Sequence, residues 1–423
     1  MKIELIKIQA ILICLVPIAL ITGPFLSDLI VSVLGIFFIF QSIHKRLFHY
    51  YYHPIAIILF FFNIYIIVRS LFSEFPILSL ESSLFYFRFT IFSLCVWHVL
   101  NNYPKLKLYF LYSLIICFLL LIADSYFQYF TGNNILGYPY SKTNLGSSEA
   151  RLSSFFGEEK ILGSYLSRLF PLFFALMALK FSNSKPMIIF SMILFILVDI
   201  LIIFSSERAA IFYLLFSSLI IILLIEKWKI YRIATLIISL ILFTVIIISN
   251  QSVKYRVVEK TINQLNIFGD NLHVFSIQHQ VIYKSSLMMF RDNPIFGIGP
   301  KNFRKTCKKS KYEVLTDKDH SINGCQAHPH NTYIQLLSET GLVGFIPIFF
   351  LLLNVLMIFF SHFYSVLFKR KYILTDYQVC LLTAMLITLW PFVPTGNAFN
   401  NWLGVLYFLP LGFFLNTLKK NYN

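Results

Sequence analysis

The densest run of groups able to do chemistry is Gln326-Ala327-His328-Pro329-His330-Asn331-Thr332-Tyr333. Imidazole exchanges protons near neutral pH, so His328 and His330 suit general acid–base work. The plainer reading is that they cap a short helix over 331–339, started by Pro329 and ended by Gly341. Arginine is the second signal: Arg88, Arg168 and Arg208 fall within or at the edge of apolar segments. A charge inside a bilayer costs roughly 3 kcal/mol or more, so such residues face a cavity or a partner. The alternatives are local pairing of Arg208 with Glu207 and outward snorkelling of Arg168. Outward arginines beside a histidine suit a phosphate or pyrophosphate, because the guanidinium fork matches its oxygens in pairs.

Cysteine adds a third signal. Cys307 and Cys325 lie 18 residues apart beside this run, and in an oxidising compartment they could close a loop next to it. A zinc site made from them with His320 and His328 fits no familiar spacing. Cys14, Cys95, Cys117 and Cys380 lie in apolar stretches and read as buried small hydrophobes.

These residues must be positioned by elements that lipid solvates. Of 423 residues, 58% are apolar and only 13% charged, and mean hydropathy is +0.74. A soluble domain carries about 25% charged residues. Spans of roughly 20 apolar residues are expected near 5–21, 26–43, 54–71, 82–100, 106–127, 162–181, 187–204, 209–226, 231–249, 342–361, 377–394 and 401–416. The first runs into Thr22-Gly23-Pro24 without a cleavage site and reads as a retained helix. The expected fold is an all-α polytopic integral membrane protein with about twelve transmembrane helices, a single unit over 1–423.

Charge sets the expected orientation. Lys2, Lys7, Lys45, Arg46, Lys105, Lys107, Lys180, Lys185, Lys227, Lys229, Arg232, Lys369, Arg370, Lys371, Lys419 and Lys420 all fall on one side. The opposite connections 72–81 and 393–400 hold no Lys or Arg. Both termini are therefore expected in the cytoplasm. Two longer segments, 128–160 and a partly helical 250–341, are expected as outer loops. The larger has 12 Lys and Arg against 7 Asp and Glu, a net +5. This suits an anionic ligand, or else solvated charge near a membrane surface. The net +16 of the chain does not make a nucleic-acid partner, because the cations sit between apolar segments rather than on a basic domain. Within 250–341, Tyr283, Leu287 and Phe290 share a helix face, and 294–300 reads as a rigid turn.

His330-Asn331, nine residues, then Gly341-Leu342-Val343-Gly344 resembles the signature of the O-antigen ligase and O-antigen polymerase superfamily. Asp124, Gln128 and Gly132, then Arg151 with Phe155, then Ser206-Glu207-Arg208-Ala209 resemble further family stretches in order. Asn293-Pro294-Ile295-Phe296-Gly297-Ile298-Gly299 with Asn302-Phe303 resembles the family's Pro-Leu-x-Gly-x-Gly…Asn-Phe stretch. One departure matters. Where relatives often place Arg four residues before Trp, this chain has His279 and Tyr283. Arg291 and Arg304 are the candidates to compensate.

The resemblance implies a bacterial inner-membrane enzyme with its site on the periplasmic side. It would pass a glycan from undecaprenyl pyrophosphate to an acceptor hydroxyl, with inversion and with no cofactor or metal. The acceptor is lipid A-core for a ligase and a second lipid-linked glycan for a polymerase; the full motif leans towards ligase. His330 is the implied base, supported by Asn331, Gly341, Gly344 and His328. Arg208, with Arg151 or Arg88, would hold the leaving pyrophosphate, and His279 and Arg291 are further donor-binding candidates. A protein-directed oligosaccharyltransferase, a lipid-linked-glycan flippase and a non-enzymatic anchor are lesser alternatives. Transporters usually place polar groups near the midplane, whereas here the outer boundary is polar.

Overall fold

In the computed structural model, the described residues are 2–141, 143–144, 147–267, 274–315, 323–370 and 372–418. Lys371, Lys419 and Lys420, counted for orientation, and His320, weighed as a zinc ligand, lie outside them. Among the described residues the chain is helical with no strand; Asn133 with Pro139 and Leu315 with Asn323 form isolated bridges. Among the described residues, nine stretches are long and apolar enough to cross a membrane, from Glu4–Thr22 to Thr332–Leu367. Arg208–Leu224, Asp376–Thr388 and Asn401–Thr417 occupy the remaining expected positions and are shorter. The chain is a polytopic helical membrane protein.

Local chemistry starts these helices where the sequence marks them. Gly23, at φ +120°, makes the tight reversal between Lys2–Thr22 and Pro24–Lys45, a conformation open chiefly to glycine. Pro24, Pro54 and Pro76 stand at first helical positions, where no amide hydrogen is needed. Thr375 and Gln378 form a capping box.

Packing changes several expected boundaries. The span expected at 82–100 is two helices, Pro76–Ser83 and Phe87–Asn102. The one expected at 377–394 stops at Thr388. Pro391 cannot continue it, and the Tyr333 hydroxyl instead donates to the Leu389 carbonyl at 2.6 Å. Helix Leu162–Phe181, 83% buried, is the centre of the bundle, packed by Arg208–Leu224, Lys185–Phe204 and Asp376–Thr388. Arg232, counted as an orienting surface charge, is fully buried. Its guanidinium donates to Asp199 at 2.8 and 3.2 Å and to Ser218. Arg168 does not snorkel: it is 4% exposed, sandwiched between the Tyr213 and Tyr407 rings at 4.6 and 5.0 Å.

The expected short helix over 331–339 does end at Gly341. There φ is +60° and ψ −165°, and the chain re-enters helix at once to form a second segment reaching Leu367. The backbone groups freed by this break are satisfied by the 294–300 turn. Ile298 N–H donates to Ser338 O and Gly299 N–H to Glu339 O. Leu342 N–H donates back to Pro294 O and Val343 N–H to Ile295 O. Helix Ile277–Asp292 precedes this turn; its buried side carries Ile282, Tyr283, Ser285, Ser286 and Met289. Leu287 and Phe290 are only half-buried.

Candidate functional site

Asn331 caps the helix that follows it. Its Oδ1 accepts from Tyr333 N–H at 3.0 Å and Ile334 N–H at 3.1 Å, and its Nδ2 donates to Pro391 O at 2.7 Å. Asparagine serves here because one side chain carries both an acceptor for the helix and a donor for its neighbour. His330 has φ +57°, and its carbonyl accepts from Thr395 N–H at 2.9 Å. Thr332 and Thr395 share a hydroxyl bond of 3.0 Å. The His-Asn corner is thus latched to the connection 389–400.

Two more histidines close on this corner. The His328 ring centroid lies 4.0 Å from that of His330, and His279 lies 6.0 Å from it. His279 is held by Ser276, whose Oγ is 2.7 Å from Nδ1. Burial lowers the pKa of all three. His328 falls to about 3, with His330 and Arg304 adding repulsion. His279 falls to about 4, with His330 and Arg208 adding theirs. At neutral pH the cluster is uncharged, so His330 presents a lone pair able to take a proton.

Arginines gather on the turn 205–208. Ser206 has φ +55°. Arg151 Nε donates to Ser205 O at 3.2 Å and its Nη2 to Lys160 O at 2.6 Å. Arg256 Nε donates to Ser206 O at 3.3 Å. Arg208 follows, with Nη1 3.3 Å from Thr261 Oγ1. Glu207 does not pair with Arg208. It lies 3.7 Å from Arg151 and holds the start of helix Leu162–Phe181, accepting from Gly163 N–H and Ser164 Oγ at 2.7 Å each. Gly163 is required there, since a Cβ would lie 2.3 Å from Ser205 Oγ and 2.9 Å from Ala210 Cβ. Burial lowers the Arg256 pKa to about 10, with Arg151 and Arg208 repelling it and Glu207 opposing them.

The glycine turns are braced by their neighbours. Tyr65 Oη donates to Thr340 O at 2.6 Å, and Arg69 Nη2 to Gly297 O at 2.8 Å. Buried Glu339 accepts from Phe303 N–H at 3.1 Å and Gln335 Nε2 at 2.9 Å. Gly344 faces Thr340, whose Oγ1 would lie 2.3 Å from an added Cβ. Cys307 and Cys325 are joined by a disulfide, with Cα atoms 5.0 Å apart. It ties the segment entering His328 to the short helix that carries Arg304.

Of the residues singled out from sequence, His279, His328 and His330 are brought together, and Arg151 is brought to the turn that carries Arg208. Arg88 is not among them: it pairs with Asp28 at 2.7 Å and donates to Phe85 O. Arg291 is exposed and stands twelve residues along its helix from His279, about 18 Å of rise. Arg256, Lys260, Arg69, Gln335 and Glu339 were not singled out. Arg256 and Lys260 stand four apart in one helical stretch, the one local hint; the others show their use only through contacts distant in sequence.

Residues 190–349 match the family model described as O-antigen ligase. No curated protein matches the chain. The matched range holds the arginine turn, Arg256, the three histidines and both glycine turns, and leaves out Arg88 and Arg151. With the helical membrane fold, this match supports placing the chain in the O-antigen ligase superfamily, whose membership suggests a membrane glycosyltransferase of ligase or polymerase type.

Proposed function

We propose that the protein is an O-antigen ligase of the bacterial inner membrane, transferring a glycan from undecaprenyl pyrophosphate to a hydroxyl of lipid A-core. The observation that carries this reading is the half-buried His330, with the His328 and His279 rings packed 4.0 and 6.0 Å from its own, inside the stretch that matches the O-antigen ligase model. The acceptor O–H gives its proton to His330 while its oxygen bonds to the anomeric carbon from the face opposite the leaving group. The bond from that carbon to the pyrophosphate oxygen breaks, and its electron pair leaves with undecaprenyl pyrophosphate. The anomeric configuration inverts.

Charge grows on the pyrophosphate as the bond breaks, so fixed cations lower the barrier without reorganising. Arg208 keeps open donors, with one described hydrogen bond to Thr261; Arg151 holds the turn through Ser205 O and Glu207. In this reading the guanidiniums supply the charge compensation and no cofactor takes part. Both termini are cytoplasmic, and 128–160 and 250–341 face the periplasm. The family description favours ligase; a polymerase would use the same groups with a second lipid-linked glycan as acceptor.

The test is reconstitution with lipid-linked glycan, with and without lipid A-core. Product on lipid A-core supports the ligase. Lengthened lipid-linked glycan alone makes the protein a polymerase, and glycolipid crossing the bilayer without transfer makes it a flippase.

A further inference from the structure

The guanidiniums of Arg151 and Arg256 both donate into the turn that carries Arg208. We infer that Arg256, from the large loop, supplies a fixed positive charge and grips the departing pyrophosphate together with Arg208. This rests on the glycosyl-transfer reading above.

Arg151 and Arg256 donate to adjacent carbonyls, Ser205 O and Ser206 O, and Arg208 stands two residues further on. Like charges so close repel. The nearby carboxylate, Glu207, has both oxygens engaged by Gly163, Ser164 and Arg151. Arg151 is bound on two sides by protein carbonyls. Arg256 and Arg208 differ from it: each has a single described hydrogen bond, through Nε and Nη1 respectively. Their remaining donors stay available to a ligand, and two forks carried at one turn suit the oxygens of a diphosphate.

The backbone supports the same assignment. Arg256 lies in a π-helical turn, Lys254–Glu259, a wide and rare form that recurs at functional sites. Helix Arg208–Leu224 begins at this point, and Glu207 makes no side-chain cap to it. Its first amide hydrogens and positive end therefore add to the anion field. Lys260, four residues on, feels both Arg256 and Arg208. His279 contributes no charge of its own at neutral pH, being held uncharged by burial.

The experiment uses the full chain in detergent micelles and measures two things: binding of undecaprenyl pyrophosphate, and kcat and KM for transfer. Arg256→Gln should lower kcat by about 10²-fold, the usual scale for losing one positioned electrostatic donor, with an unchanged melting temperature and weaker binding of the pyrophosphate lipid. Arg256→Lys should retain part of the activity. Adding His279→Arg to Arg256→Gln should recover at least tenfold, because it puts a fixed cation beside the histidine corner. If Arg256→Gln binds and turns over within twofold of wild type, the assignment is wrong. It is also wrong if neither Arg256→Lys nor the second-site His279→Arg restores activity, since the role is then structural. If wild type itself neither binds nor transfers, the glycosyl-transfer reading falls, and this inference with it.

Discussion

Gly297 and Gly341 meet back to back: a Cβ on Gly297 would lie 2.5 Å from the Gly341 nitrogen, and one on Gly341 would lie 2.6 Å from the Gly297 nitrogen. Both have positive φ, +68° and +60°. The obstructing atoms are backbone, which cannot swing aside. Gly341→Ala should therefore displace the 294–300 turn from the helix break, costing about 2 kcal/mol or more from strain and clash together. The check is a lower melting temperature in detergent together with reduced transfer. Gly137→Ala, at a positive-φ glycine with open space around it, should show only the smaller strain effect.

His330→Ala should abolish transfer while the protein still inserts and melts as wild type. The corner is held by Asn331, Thr332 and Thr395 rather than by the imidazole, so the fold does not depend on the ring. Because φ at 330 is +57°, His330→Asn is the gentler variant, asparagine tolerating this region well. Retention of transfer in both variants would remove His330 from the role of base.

Transfer should persist into mildly acidic conditions. Burial lowers the His330 pKa below its usual value, so the neutral form needed by a base survives to lower pH than for a free imidazole. The acidic limb of the kcat profile should thus fall below about 6.5.

Stability should follow the other two rings. His328 and His279 titrate at about 3 and about 4 in the folded chain, against about 6.5 when unfolded. Between these values the unfolded chain binds more protons, so stability is lost as pH falls from about 6.5 towards 4. Melting temperatures at pH 7.5 and pH 5 should differ, and His328→Gln should narrow the difference.

Reducing the Cys307–Cys325 bond, or replacing both cysteines by serine, should loosen the segment entering His328. Closing an 18-residue separation is worth about 3 kcal/mol in the loop-entropy model. Faster proteolysis at Lys308, Lys309 or Lys311, together with lower transfer, is the expected result. An unchanged digestion pattern would mean that packing alone holds the segment.

Membrane residence, the helical class and the approximate spans were legible from composition and apolar run length, because each is a local property of the chain. So were the Asn331 cap and the glycines at 297 and 341, since a cap and a left-handed turn announce themselves by residue type. Run length predicted less well where tertiary contacts end a helix, as at Thr388, where Tyr333 claims the Leu389 carbonyl. Which arginines meet at one turn was legible only in part: Arg151 and Arg208 stood out in the sequence, but so did Arg88 and Arg291, and Arg256 did not. Arg88, Arg168, Arg232 and Arg291 look alike as letters, yet one pairs with Asp28, one lies between tyrosines, one is buried with Asp199 and one faces outward. Arg151, Arg208 and Arg256 meet only because separate segments fold onto one turn. A cation's use depends on which carboxylate, carbonyl or open space it reaches, and only the packed bundle decides that.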